Sequence, residues 1–267
     1  MDAQLLTSID RYLDAVPRPA TRVEVIGPFT LFVNEGIGWR YYARPTVGAR
    51  RFTSDDVRRV LERQRELDQP LEFEWVVDTT PLVGDAARGA GLNVVEHPLM
   101  HLRADELLPA ASPDGAEVRT IGSNDDLATV TAVAMVGFDS PGTSVGPVGV
   151  EAVAARAAEA DAGKLEFARD RLARGLTVTV AAFVGGVPVA SGSHQPIDGV
   201  TEIVGVACLP AFRRRGLAAA ITTALAEDAL RHGVGTVFLS ADDEAVARIY
   251  GRLGFRTIGT VGAASPA

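Results

Sequence analysis

The chain has 267 residues, 47% of them hydrophobic, and a formal net charge of −8 with a pI near 5.1. That length accommodates two domains with real cores, and the acidic balance excludes general nucleic-acid binding, which needs a basic footprint. A single cysteine, Cys208, excludes an intrachain disulfide and any multi-cysteine metal centre.

The opening MDAQLLTSIDRYLDAV carries acids where a secretory signal carries bases. No apolar run reaches the length of a membrane span. A cytoplasmic protein without a membrane partner is therefore expected. His97, His101, His194 and His232 are dispersed, and Pro98 argues against a helical ligand pair of the first two, so no metal is expected.

In chain order, Leu5, Leu6, Ile9 and Leu13 predict a first helix over 4–15, ended by Pro17 and Pro19. The β-branched and aromatic run Val23–Val33 predicts a strand that pairs across NEGIG with a second at Trp39–Ala43. Ser54 is placed to cap a helix that begins DDVRRVLE. Strand 71–77, helix 81–90 and strand 93–102 follow, with Gly91 stopping the helix. The Pro- and Gly-bearing stretch 104–116 reads as a linker, dividing the chain into domains 1–110 and 115–267.

The second half restarts with strand 117–121 and a helix from a cap at Ser123 to Phe138. SPGTSVGPVG is a loop, and Val150–Arg174 is helical with a break placed at Gly163. Thr177–Val184, Gly185-Gly186 and Val187–Gln195 form a hairpin. Next come strand 202–209, helix 217–231 closed by Gly233, strand 236–240, a helix within 242–253 closed by Gly254, and a last strand at 256–261.

The informative stretch is Thr201–His232. A strand apolar on both faces ends at Pro210, three arginines and Gly216 follow, and a helix opens at Leu217. Backbone N–H groups from Arg214 to Ala219 and the helix dipole then converge on one spot, an anion site of pyrophosphate size. Gly216 and Ala218 leave room for it, and arginine side chains add charge-assisted bonds.

Arg213-Arg214-Arg215-Gly216-Leu217-Ala218, with Pro210 before it, resembles the Gln/Arg-x-x-Gly-x-Gly/Ala hallmark of the GCN5-related N-acetyltransferase (GNAT) superfamily. Tyr250-Gly251-Arg252-Leu253-Gly254-Phe255 is similar to the family's tyrosine helix ending in Gly-Phe, and the order of elements over 115–265 matches. The first half resembles a worn copy of the same fold that lacks the arginine–glycine turn, as in tandem acetyltransferases. The fold expectation is an α/β protein (an α+β mixed sheet), with a C-terminal acyl-CoA-binding domain and a smaller degenerate GNAT-like domain before it.

The resemblance implies acetyl-CoA as cosubstrate. Its pyrophosphate would lie on Arg213, Arg214, Arg215, Gly216, Leu217, Ala218 and Ala219, and its pantetheine arm along Val206, Ala207 and Cys208. Asp243 stands where relatives often carry an asparagine that contacts the cofactor. Tyr250 would protonate the departing thiolate, Glu202 would act as general base, and an N–H near Val206 would polarise the thioester carbonyl. Cys208 reads as a small buried hydrophobe. The acceptor pocket would be built from Phe138, the 139–149 loop and residues near His194 and Glu202. The expected activity is transfer of acetyl to a primary amine of a small molecule or peptide by direct attack, by a monomer or homodimer. A non-catalytic acyl-CoA-binding sensor and a transferase for a longer acyl group are the alternatives.

Overall fold

The computed structural model describes residues 3–111, 113–140 and 142–267. Ser112 of the expected linker and Pro141 of the expected loop lie outside these. The chain divides into one unit of residues 1–100, 240–243 and 257–267, and a second of 101–239 and 244–256. The division is not the linear one expected near residues 110–115, because the C-terminal strand joins the first unit.

The first unit begins with α1 (Ala3–Ala15), which buries Leu6, Ile9, Tyr12 and Leu13. β1 (Arg22–Ile26), β2 (Phe29–Val33) and the two-residue β3 (Arg44–Pro45) form an antiparallel sheet. The run expected as one strand is thus itself a hairpin. Ile26 pairs with Phe29 across Gly27-Pro28, and Gly27 takes the left-handed conformation (φ 57°) that such a tight turn requires. Trp39–Ala43 is not a strand, except that Ala43 makes a parallel bridge to Phe73.

α2 (Ser54–Glu66) is capped by Thr53 rather than by Ser54. Thr53 accepts from the Asp56 amide, and the Asp56 carboxylate accepts from the Thr53 amide. β4 (Phe73–Val76), α3 (Val83–Gly89) and β5 (Asn93–Leu102) follow. The last strand, β11 (Arg256–Ser265), is longer than expected, and over 261–264 it runs antiparallel to β4. Glycine is needed there: a Cβ at Gly262 would lie 2.4 Å from the Trp75 ring, and one at Gly259 would lie 2.4 Å from Asp78 Oδ2. Phe29 packs on Phe52 and, edge-on, on Phe73, both at 5.4 Å. Leu31, Val57, Val60, Trp75 and Val83 complete this core.

The second unit is a twisted sheet in the order β6 (Ala116–Ile121), β7 (Val178–Val184), β8 (Val187–His194), β9 (Val200–Cys208) and β10 (Thr236–Ser240). Neighbouring strands are antiparallel except β9 and β10. α4 (Leu127–Phe138), α5 (Val150–Ala158) and α6 (Ala162–Ala173) separate β6 from β7. Asp126, not Ser123, caps α4, and Asp161 caps α6, so the break falls ahead of Gly163. α7 (Leu217–Arg231) follows β9, and α8 (Glu244–Gly251) packs on α7.

Helices cover both faces of this sheet. Ser191 and Ala207 lie opposite one another on one face, where a Cβ on Gly137 of α4 would come within 2.9 Å of Ala207. Gly192 takes the other face, against Ile221 and Leu225 of α7.

Candidate functional site

The site is built around β9. On one side β9 pairs with β8, and between Ser191/Ala207 and Ser193/Val204 it carries one extra residue, a β-bulge at Gly205 (φ 65°). On the other side its parallel ladder to β10 runs only from Val200/Thr236 to Glu202/Phe238. Beyond Glu202 that edge has no ladder partner among the described residues, and Val204, Val206 and Cys208 are half-buried along it while Ala207 is buried. An open edge beside a bulge offers free backbone donors and acceptors to an extended ligand.

At its end β9 leads through Pro210 into the arginine turn. Arg214 is left-handed (φ 64°), an uncommon conformation for a side-chain-bearing residue, and Gly216 at the N-cap is left-handed too (φ 79°). α7 has no side-chain cap and no acid in its first turn. α2, α4 and α6 each receive an oxygen from Thr53, Asp126 and Asp161 respectively, whereas the Leu217, Ala218 and Ala219 amides receive none from a capping side chain. Arg214, Arg215 and Gly216 are exposed beside those amides, and Arg215 lies 5.1 Å over the Phe212 ring. Uncapped amides, a positive dipole end and two exposed guanidiniums suit a phosphate group.

Arg213 is placed differently from the expectation. Its Nε donates to Cys208 O (3.2 Å), its Nη1 to Ser144 O (3.2 Å), and its Nη2 to the carbonyls of Gly137 (3.1 Å) and Ser140. The side chain therefore ties the loop after α4 to the end of β9 and is not among the phosphate donors. Backbone bonds from Gly146 N to Pro210 O (3.2 Å) and from Ala211 N to Val148 O (3.0 Å) fix the same loop. Beside it Phe138 and Val145 are exposed.

Glu202 is half-buried and occupies the last rung before β9 and β10 part. Tyr250 is 8% exposed on α8, its ring 6.1 Å from that of Phe255, and burial pushes its phenol up to about 12. A phenol of that kind keeps its proton at neutral pH. Gly254 (φ 100°) ends this motif for a steric reason, since a Cβ there would fall 1.9 Å from Glu106 O. Burial likewise raises the Cys208 thiol to about 11, against the lowering influence of Arg213 and Arg215, so it stays protonated and unreactive.

Asp243 is exposed and stands just before α8. His194 is 1% exposed, bonded through Nδ1 to Thr201 Oγ1 (3.0 Å) and through Nε2 to Asp228 Oδ2 (3.1 Å). Desolvation lowers its pKa, opposed by Asp228, and it is sealed away from any acceptor. The residues that sequence reasoning leaves out are Gly205 and Gly137. A glycine inside an otherwise apolar strand is the available signal for the bulge.

Among the described residues no helix is long and apolar enough to cross a membrane, and no group of three or more His, Cys, Asp or Glu side chains could hold a metal ion. Residues 151–255 match the model of the acetyltransferase (GNAT) family. No curated protein matches the sequence. Among solved structures, the chain is similar to a GCN5-related N-acetyltransferase from Kribbella flavida at 23% identity, covering 98% of this chain and 96% of that one with a TM-score of 0.72. It is also similar to a tandem GNAT protein from the clavulanic acid biosynthesis pathway, at 16% identity, 99% and 95% coverage and a TM-score of 0.57. A GCN5-related N-acetyltransferase-like protein from Streptococcus suis follows at 13% identity, 98% and 98% coverage and 0.56. At these identities the likeness is one of fold, and it runs the length of the chain.

Proposed function

We propose, from the match of residues 151–255 to the acetyltransferase (GNAT) family model, that this chain transfers acetyl from acetyl-CoA to a primary amine of a small molecule or peptide. The observation that carries this reading is the pairing of an open, bulged strand edge with an uncapped helix N-terminus at its end. The spacing suits a cosubstrate with an extended arm and a pyrophosphate. Acetyl-CoA supplies the activated acetyl thioester. The chain's residues bind, orient and move protons.

The amides of Leu217 to Ala219, with Arg214 and Arg215, would hold the pyrophosphate. The β9 edge from Val206 to Cys208 would take the pantetheine arm in strand-like bonds, and an N–H at the bulge would polarise the thioester carbonyl. The amine nitrogen attacks the acetyl carbon, the C–N bond forms and the C–S bond breaks. Glu202, at the mouth of the opening, accepts the proton that the amine loses. Tyr250 holds a proton for the departing thiolate. The protonated, half-buried Cys208 supports direct attack over a covalent acyl-enzyme.

The test is thiol release from acetyl-CoA across a library of primary amines, with calorimetric titration of acetyl-CoA as the binding arm. Thiol release with at least one amine supports transfer. Binding without release from any amine would favour an acyl-CoA sensor, and absence of binding removes both readings.

A further inference from the structure

The Pro- and Gly-bearing stretch after β5 has the composition of a linker, yet its first part is bonded to the second unit, to which it belongs. After a single 3-10 turn at Ala104–Glu106 the chain passes the end of α8 and reaches α7. Gly254 lies against it: a Cβ there would fall 1.9 Å from Glu106 O and 3.3 Å from Leu102 Cδ1. The Leu108 amide donates to Leu253 O (3.0 Å). The Ala110 amide then donates to Thr223 Oγ1 of α7 (3.2 Å), and Thr223 is buried. The Glu106 carboxylate pairs with Arg256 at 2.8 Å.

The turn held in this way is the one that carries Tyr250. Tyr250 O accepts from Leu253 N (2.9 Å) and from Phe255 N (3.2 Å), so the amides on either side of the Leu253–Gly254 peptide converge on it. The carbonyl of that same peptide is the acceptor for Leu108 N. Leu253 is 3% exposed, where a carbonyl without a donor is costly. α8 has only eight residues and few internal bonds, so a donor from outside fixes where its last turn sits. The Leu108 side chain is 58% exposed and adds little to this grip. Its amide supplies it.

We infer that residues 103–110 form a strap that positions Tyr250, through the Leu108 amide on Leu253 O and the anchor of Ala110 on Thr223. The consequence for turnover rests on the acyl-transfer reading, in which Tyr250 holds the proton for the thiolate. Leu108 is then a positioning residue that acts only through the ring it places.

Leu108→Pro deletes the donor, and Leu108→Ala keeps it while trimming the same exposed side chain. The full chain grown with 3-fluorotyrosine gives one fluorine resonance from each of its four tyrosines, and Tyr250→Phe assigns that of Tyr250. In Leu108→Pro this resonance is expected to move or broaden while those of Tyr12, Tyr41 and Tyr42 stay, and in Leu108→Ala it keeps its parent position. Leu108→Pro is expected to lower kcat by about tenfold with KM for acetyl-CoA unchanged. That loss disappears in the Tyr250→Phe background, where the strap has no phenol left to place. Thr223→Val removes the second anchor at nearly constant shape. It gives the same changes in smaller measure, and it carries the test if Leu108→Pro does not melt cooperatively. A Tyr250 resonance unmoved in Leu108→Pro and Thr223→Val overturns the inference. So do equal effects of Leu108→Pro and Leu108→Ala, or a kcat loss that persists in full in the Tyr250→Phe background. The fluorine spectra need no turnover, so a parent that releases no thiol from any amine refutes the acyl-transfer reading while the resonance still decides the strap.

Discussion

α2 follows the short antiparallel strand β3 in the first unit, and α7 follows β9, which pairs in parallel with β10, in the second. Their N-termini are finished in opposite ways. α2 is closed by its own chain, through the Thr53–Asp56 capping box, and Asp55 and Asp56 set two negative charges in its first turn. α7 has a left-handed glycine, no capping oxygen and no acid. The first arrangement spends the helix's amides and dipole on stability and repels an external phosphate. The second leaves both for a ligand.

The open helix end and the chemistry beside it separate experimentally. Tyr250→Phe and Glu202→Gln are each expected to lower kcat by about 100-fold or more while acetyl-CoA affinity stays at the parent value. Steady-state kinetics beside calorimetry reads both quantities, and a parallel loss of affinity would assign these side chains to binding instead.

Ala219→Asp gives α7 the acid that α2 owns at the equivalent third position, so acetyl-CoA affinity falls by roughly 30- to 100-fold while the melting temperature holds or rises. Arg213→Gln releases the loop carbonyls of Gly137, Ser140 and Ser144. It is expected to raise KM for the amine by about tenfold and to move KM for acetyl-CoA far less. Loss confined to acetyl-CoA would return Arg213 to the phosphate set.

Smaller effects belong to the first unit. The Asp10 carboxyl is raised in the folded state from 3.8 to about 6, so the folded state holds the extra proton between these values. The stability this contributes is full below the unfolded pKa and is lost as pH rises through about 6. Asp10→Asn removes that loss and is expected to stabilise the protein at neutral pH by on the order of 1–3 kcal/mol. Glu24, held down to about 2 by Arg63 and Arg22, acts in the opposite sense: its contribution is present above the unfolded value and lost as pH falls towards 2. The difference between parent and Asp10→Asn melts across pH 4 to 7 therefore isolates Asp10. Thr53→Ala costs about 1 kcal/mol by denaturant titration and leaves acetyl-CoA binding unchanged.

Much of the second unit is legible in the chain because its signals are local. Gly185-Gly186 marks the hairpin, Pro210 and Gly216 bracket the turn, and the period of α7 is plain. Long-range placement is not legible. β11 joins the first unit through a ladder to β4 some 185 residues earlier in the chain, and only the clearance at Gly262 over Trp75 records the fit. VEVIGPFTLFV has strand chemistry throughout, so its fold at Gly27-Pro28 hides inside one apolar run. The direction of Arg213 depends on carbonyls some 70 residues away, whereas motif spacing describes only its neighbours.

If the uncapped end of α7 holds the cosubstrate, acetyl-CoA titrated calorimetrically into the parent chain and Thr53→Ala binds saturably, and its binding to Ala219→Asp is weaker by at least an order of magnitude. Undiminished binding in Ala219→Asp, or no binding by the parent, places the cosubstrate elsewhere.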